Sequence, residues 1–378
     1  MSFEWLYFYA LPFIVVLTVV VFVHEMGHFL LARKNGVKVE VFSIGIGPEI
    51  FGFNDKQGTR WKFSWLPFGG YVKMFSDADI SSMPDTEAIK EMTPEERAYS
   101  HHHKTVWQKF QIAAGGPLAN YAFGILLFSL VYMFHGQRVD TDDPIIGHMA
   151  TGEAAATAGL LVGDKILSVD NHKVTGFLQL REFIREHPGV SVDMQIERGG
   201  QQITKPVVPK SVVDGTSPDG PKHVGILGIS PPSSIVQRGP LEAVGSAFYD
   251  AYSLTVKTFA NLGGMIIGTR SVDGLTGPIG IAKATGDIAT TDFPTFIWFI
   301  AFISINLGFV NLLPVPVLDG GHLMFYIIEA ARGKPLSERT QENAFRVGLV
   351  LVLSLFLFTT YKDVESIHLF SKFMSLFN

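Results

Sequence analysis

The sequence predicts an α-helical polytopic membrane protein with four transmembrane helices, a membrane-associated β-hairpin and an inserted α+β domain. Three observations predict it. Uncharged apolar runs recur along the 378 residues, of which 47% are hydrophobic. Only 17% are charged, where a soluble domain averages about 25%, and the mean hydropathy is +0.27. Between the second and third runs lies a long polar stretch, residues 135–292, with turn signals and strand-like alternation. The net charge of −5 lacks the basic signature of a nucleic-acid binder. With no cysteine, thiol catalysis, thiolate metal ligands and disulfides are excluded.

Taken in order, Trp5–Val23 runs 19 residues without a charge, Ile112–Phe134 runs 23 and Phe293–Leu318 runs 26. Val347–Tyr361 runs 15 and reaches spanning length by taking in Ala344, Phe345 and a snorkelling Arg346. About 20 apolar residues cross the hydrocarbon core, so all four read as spans. The first is a retained span rather than a signal peptide. Glu4 is the only charge before it, and it ends in a charged motif instead of a small-residue cleavage site.

Lys and Arg set the orientation. Arg33, Lys34, Lys38, Lys56, Arg60, Lys62 and Lys73 follow the first span, and Lys104 and Lys109 precede the second. Arg332, Lys334 and Arg339 lie between the last two. The positive-inside rule turns both loops to the cytoplasm and puts both termini, with residues 135–292, outside. Within the first loop, Trp61–Trp65 alternates, Pro67 and Gly69-Gly70 turn the chain, and Tyr71–Phe75 follows, which reads as an amphiphilic hairpin over residues 61–75. Asp77–Arg97 is polar and acidic and reads as a mobile cytoplasmic loop.

The outer stretch divides in two. Residues 140–231 read as a soluble α+β domain. Lys165–Asp170 is strand-like and Phe177–Glu186 helical. Val190–Arg198 and Gln201–Val208 are strands around a Gly199-Gly200 turn, and Gly225–Ser230 is a closing strand. In residues 236–292, Thr258–Thr269 is uncharged but too short to span, and reads as an interfacial segment or amphipathic helix.

The chemistry sits where the first span ends, in His24-Glu25-Met26-Gly27-His28. Positions i and i+4 share a helix face, so both imidazoles can reach one metal ion. Glu25 beside them can reach a metal-activated water. Ionisable groups at the end of an apolar run are costly without a role. A catalytic zinc takes three protein ligands and keeps one open position. Asp319 is the candidate third ligand. It is the first acidic group after the third apolar run, with Pro314 and Pro316 to break the helix before it and Gly320-Gly321 to free the chain after it. His322 is the rival third ligand, and a helix N-cap is the competing role for Asp319.

These motifs resemble the site-2 protease family of intramembrane zinc metalloproteases, and within it the bacterial RseP-type branch (regulator of sigma-E protease). The resemblance runs over essentially the whole chain. It takes in His24–His28, Leu318-Asp319-Gly320, Gly116-Pro117-Leu118-Ala119-Asn120, Pro67–Met74, Gly277-Pro278-Ile279-Gly280 and Asn306 through Gly321. It implies one Zn2+ per chain held by His24, His28 and Asp319, with Glu25 as the general base. It implies that the hairpin is a reentrant β-loop whose edge takes the substrate as an added strand, with Gly69, Gly70 and Tyr71 at the contact. Asn306, Asn311 and Pro314 would hold the extended substrate from the third span. Asn306 has interhelical hydrogen bonding as an equal alternative. Asn120, among Gly115, Gly116 and Gly124, reads as helix packing.

Residues 140–231 resemble a circularly permuted PDZ domain. Gly225, Ile226, Leu227 and Gly228 would be its carboxylate-binding loop, and Phe177–Glu186 the other wall of its groove. Branch members often carry two such domains; this chain has room for one. His101–His103 read as a solvated run. The implied function is regulated intramembrane proteolysis of single-pass membrane proteins, such as anti-sigma factors or remnant signal peptides. The implied location is the bacterial inner membrane, with the termini and the PDZ-like domain in the periplasm. The implied partners are those substrates and the lipid bilayer, without nucleic acid. Two alternatives share the motifs: a membrane-anchored metalloprotease for soluble or misfolded proteins, and a non-catalytic PDZ adaptor. Metal transport would need more ionisable groups in the spans.

Overall fold

The computed structural model describes residues 6–77, 91–150, 152–214, 222–270, 272 and 275–366. The chain forms two compact units, one of Met1–Val131, Val244–Thr255 and Leu275–Asn378, the other of Tyr132–Ala243 and Val256–Gly274. Among the described residues four helices are long and apolar enough to cross a membrane: Tyr7–Lys34, Val106–Phe134, Phe293–Leu312 and Arg339–Glu365.

In the first unit, helix α1 (Leu11–Lys34) follows a π-helical turn at Leu6–Ala10. Its run of Val and Ile disfavours a helix in water. In lipid, backbone groups must pair within the segment, and helix is the single-segment solution. Arg33 and Lys34 sit in its last turn, where cations suit the helix dipole. Gly36, at φ +69°, stops it. The Val37 amide reaches back to Ala32 O at 2.9 Å and the Gly36 amide to Arg33 O at 3.0 Å, a Schellman ending.

Strands β1 (Val39–Asn54) and β2 (Arg60–Met74) pair antiparallel. Residues 41–44 have partners both at 60–63 and at 70–73, while 49–54 pair with 60–64. The element is therefore a small curled sheet built from residues 39–74, larger than the expected 61–75 hairpin. The alternation at 61–65 pairs with β1 and not with 71–75. Phe29, Phe42 and Trp61 stack at its core, the Phe42 and Trp61 rings 4.4 Å apart.

Helix α2 (Pro94–Tyr99) starts with a capping box between Thr93 and Glu96. Part of the expected Asp77–Arg97 loop is thus ordered helix, and Asp77 is buried; residues 78–90 lie outside the described residues. Helix α3 (Val106–Phe134) carries Pro117 in its interior.

The second unit opens with β3 (Gln137–Asp140), β4 (His148–Met149), α4 (Ala154–Thr157), β5 (Lys165–Val169) and β6 (His172–Lys173). It continues with α5 (Phe177–Glu186), β7 (Val192–Arg198), β8 (Gln201–Val207), β9 (Lys210–Asp214), β10 (Lys222–Ile226), β11 (Ile229–Ser230) and β12 (Ser233–Val236). The main sheet runs β6-β5-β7-β8. Ile146, Leu160, Ile166, Leu180, Ile184, Met194 and Ile196 fill one core beneath it. The Gly199-Gly200 turn joins β7 to β8 with both glycines at positive φ, as the hairpin signal required.

Helix α6 (Pro240–Ile267) is one long helix that takes in residues 258–267 of the segment expected at 258–269 and ends at Gly268, at φ +79°. Helix α7 (Pro278–Ala289) begins at the Gly-Pro-Ile-Gly motif. Helix α8 (Phe293–Leu312) ends six residues before the expected limit of the third span, because Pro314 and Pro316 cannot continue a helix. Helices α9 (Asp319–Arg332) and α10 (Glu338–Ser366) complete the chain. Asp363 of α10 is buried, and its carboxylate accepts the Gly277 amide at 3.0 Å and the Gly280 amide at 2.9 Å at the start of α7. Negative charge is favoured at a helix N-terminus.

Candidate metal centre

Close approach of α1 and α3 makes the site. A Cβ on Gly27 would collide with the Gly115 carbonyl, and one on Gly115 would stand 2.6 Å from the Gly27 oxygen. Such backbone contact is the use of small residues between membrane helices. It presses α3 against the imidazole face of α1. A Cβ on Gly116 would collide with His28 Nε2 and lie 2.7 Å from His24 Nε2. Helix α9 is tied to α3 by the Lys109–Glu329 ion pair at 3.0 Å and by Leu323 packing on Ala113 and Ala114. Its first residue is Asp319. Gly320 and Gly321 are required there, since a Cβ on Gly320 would collide with the Leu312 and Leu313 carbonyls.

The three side chains converge. His24 Nε2 lies 3.2 Å from His28 Nε2 and 3.1 Å from Asp319 Oδ2, and His28 Nε2 lies 3.3 Å from Asp319 Oδ1. Ligand atoms about 2.0–2.1 Å from a tetrahedral zinc stand about 3.3 Å from one another, so the spacing suits that ion. The tautomers suit it as well. His28 Nδ1 is 2.8 Å from the Ile112 carbonyl, to which it donates, and this leaves Nε2 as a bare lone pair. Asp319 Oδ2 is buried and, among the described residues, lacks a hydrogen-bond partner. Two imidazole lone pairs and a carboxylate facing one point are stable around a cation and not around nothing.

Asn120, expected from sequence to pack helices, also stands against this arrangement. It is fully buried, with its amide 3.3 Å from His24 Nδ1. Its Oδ1 lacks a partner among the described residues. Turning the amide over puts that oxygen on the His24 Nδ1–H, which satisfies both groups and leaves His24 Nε2 bare. Ser304 of α8 fixes the Asn120 backbone, its hydroxyl donating to the Asn120 carbonyl at 2.9 Å. A polar residue among glycines carries no signal that separates packing from ligand support.

A cavity of about 390 Å³ opens on the cluster, lined by His24, Glu25, His28, Gly70, Tyr71, Val72, Asn311, Asp319 and His322, among others. Glu25 reaches the backbone of Val72, and a Cβ on Gly70 would touch the Glu25 side chain at 3.4 Å. Of the residues expected at the substrate, Asn311, Gly70 and Tyr71 line the cavity. Gly69 makes the turn before them at φ +78°. Asn306 donates to the Phe302 carbonyl of its own helix at 2.8 Å. Pro314 is exposed in the bend between α8 and α9. His322 lines the cavity but stands outside the His24, His28 and Asp319 group.

The expected carboxylate loop lies in the second unit. Gly225 and Ile226 belong to β10, Leu227 is buried, and Gly228 turns at φ +75°. A Cβ on Gly225 would collide with the Ile184 carbonyl of α5, so the two walls touch. The expected solvated run at His101–His103 also differs: His101 is buried, because the 3-10 turn there points its ring inward.

Residues 12–355 match the family model described as Peptidase family M50. A relative from Agrobacterium fabrum, provisionally named a zinc metalloprotease, is 40% identical over 95% of this chain and 96% of its own. One from Rhizobium meliloti with the same kind of name is 39% identical over 94% of this chain and 96% of its own. The metalloprotease MmpA of Caulobacter vibrioides is 34% identical over 96% of each. Among solved structures, an aminopeptidase N family protein from Idiomarina loihiensis shares 21% identity over 30% of this chain and 16% of its own at a TM-score of 0.17, too little to bear on the fold.

Proposed function

The chain belongs to peptidase family M50, the site-2 protease family, and is a zinc metalloprotease; from that premise we propose that it cuts the membrane-spanning segments of single-pass proteins inside the bilayer. The observation that carries this reading is the shared cavity. One edge of the small sheet, Gly70–Val72, lines the same space as His24, Glu25, His28 and Asp319.

A transmembrane substrate is helical, with its scissile amide shielded by its own hydrogen bonds. Unwound in lipid, its freed backbone groups need new partners. Residues 70–74 pair with β1 on one side only among the described residues, so their other side can take an extended substrate as an added strand. Asn311, also lining the cavity, offers an amide to the same backbone. Polar groups at this position select an unwound segment over an intact helix.

His24, His28 and Asp319 would hold the zinc, with Asn120 and the Ile112 carbonyl orienting the two imidazoles. When bound, zinc acidifies a water and polarises the scissile carbonyl. Glu25 takes the proton from the attacking water and delivers it to the leaving amine, a task for a carboxylate beside the ligands. The relatedness to the RseP-type branch extends the reading to an inner-membrane enzyme with its termini and a PDZ-like residue block 140–231 in the periplasm, engaged in regulated intramembrane proteolysis. A peptide tail would enter that domain only if β10 and α5 parted at Gly225, where the two now touch.

Glu25→Gln tests the mechanism. Detergent-purified protein should retain its zinc while cleavage of a transmembrane substrate falls at least about a hundredfold. Undiminished cleavage by the Gln variant would remove Glu25 from the chemistry.

A further inference from the structure

A second group of metal-ligating side chains stands apart from the first. Asp77, His101 and His102 place one ligand atom each within 4.8 Å of one another, and no residue is shared with the His24, His28 and Asp319 group. Asp77 follows the β2 edge, and its Oδ2 accepts the Met74 amide at 3.1 Å. Its Oδ1 lies 3.1 Å from His102 Nε2, with the Asp77 side chain wholly out of solvent. His101 is 5% exposed, and neither of its ring nitrogens has a hydrogen-bond partner among the described residues. A buried imidazole with both nitrogens idle is an unmet demand for a ligand or a proton acceptor. A metal ion there would take an ionised carboxylate and a neutral imidazole.

We infer that Asp77, His101 and His102 form a second transition-metal site, of zinc class, that clasps the end of the β2 edge to the segment entering α3. Two imidazoles and one carboxylate suit Zn2+, Co2+ or Ni2+ and not Mg2+ or Ca2+, which prefer oxygen. The site joins two pieces of chain that both bear on the proposed chemistry. Asp77 anchors Met74 and hence the strand that receives substrate. His101 and His102 precede α3, which supplies Gly116 and Asn120 to the first centre. His101 also lines the cavity that opens on the first centre. The competing account is an ion pair between Asp77 and a protonated His102, with His101 as an idle core residue.

Metal counting separates the two. The full chain in detergent is dialysed against micromolar free Zn2+ and its bound metal measured by mass spectrometry. Wild type should saturate at two ions per chain. Asp319→Ala, which removes a ligand of the first centre, should keep one. His102→Lys, which keeps the cation but removes the ligand, should also keep one, and the double variant none. Should His102→Lys misfold, Asp77→Asn keeps the shape with a poor ligand and should read the same. Zinc should also raise the thermal midpoint of Asp319→Ala, and not that of the double variant. Saturation of wild type at one ion overturns the site, as does full stoichiometry in His102→Lys.

Discussion

The two units solve the same problem, placing polar groups correctly inside an apolar core, by opposite means. In the second unit the sequence alternates along β5, β7 and β8, and the sheet buries one face. Its key carboxylate, Asp164, is buried but met by Arg198 Nε and Nη2, each at 2.7 Å, and by the Leu161 amide at 2.8 Å. In the first unit the spans are apolar all round, so no face announces itself. There, glycines specify contact and the few polar groups answer one another across helices: His28 with Ile112, His24 with Asn120, Asp363 with α7. The lesson is that water-facing structure is specified by pattern, while lipid-facing structure is specified by gaps and by isolated polar residues.

Steric gaps should therefore be the most fragile feature of the first unit. In Gly116→Ala the new methyl group meets both imidazoles. The expected outcome is loss of zinc at the first centre and a fall in cleavage of at least about a hundredfold, in line with loss of a metal catalyst. Gly263→Ala is the control, because a Cβ there meets nothing within 4 Å. Metal content and cleavage should be unchanged in it, and equal effects of the two substitutions would refute the gap argument.

The second unit should break differently. Ile196 is 0% exposed in its core. Ile196→Ala should cost about 2–5 kcal/mol of that unit's stability, read as faster hydrogen exchange in peptides over β5 and β7, with zinc content intact. Zinc loss in this variant would mean that the units are not separately specified.

The sequence made some of this legible and hid the rest, for physical reasons. His24 and His28 were readable because one helical turn puts them on one face. Asp319 was readable because a lone carboxylate after an apolar run needs a partner. The end of α8 was placed too late: hydropathy continues through Val315 and Val317, while the backbone obeys Pro314. The sheet at 39–74 was read too small, since pairing of 60–64 with β1 depends on contacts that no local alternation encodes. His101 was read as solvated because a histidine run looks polar, and only tertiary structure turns one ring inward. Asp363 gave no signal, as its partners lie on another helix far along the chain.

Asn120 sharpens the comparison from the polar side. If it orients His24, Asn120→Ala should weaken zinc binding about 10–100-fold, the usual cost of losing a residue that supports a metal ligand. A chelator competition on the purified chain measures this. If Asn120 only packs helices, affinity should hold while the thermal midpoint falls.

The gentlest test uses acid on the second unit. The Arg198 guanidinium donating to Asp164, helped by the Leu161 amide, holds that carboxyl below the usual range. An Asp in the unfolded chain titrates near about 3.9. A lowered folded value means the folded unit binds fewer protons than the unfolded chain through this window. The pair's contribution is therefore complete above that unfolded value and drains away as pH falls through the lower, folded one. Asp164→Asn keeps the shape but has no such proton to gain. Wild type should accordingly lose hydrogen-exchange protection over β5 and β7 more steeply than the variant as pH drops below about 4. Because the carboxylate is met from one side by a partly exposed arginine, screening keeps the difference small. Parallel losses in both proteins would show that Asp164 folds without differential proton binding.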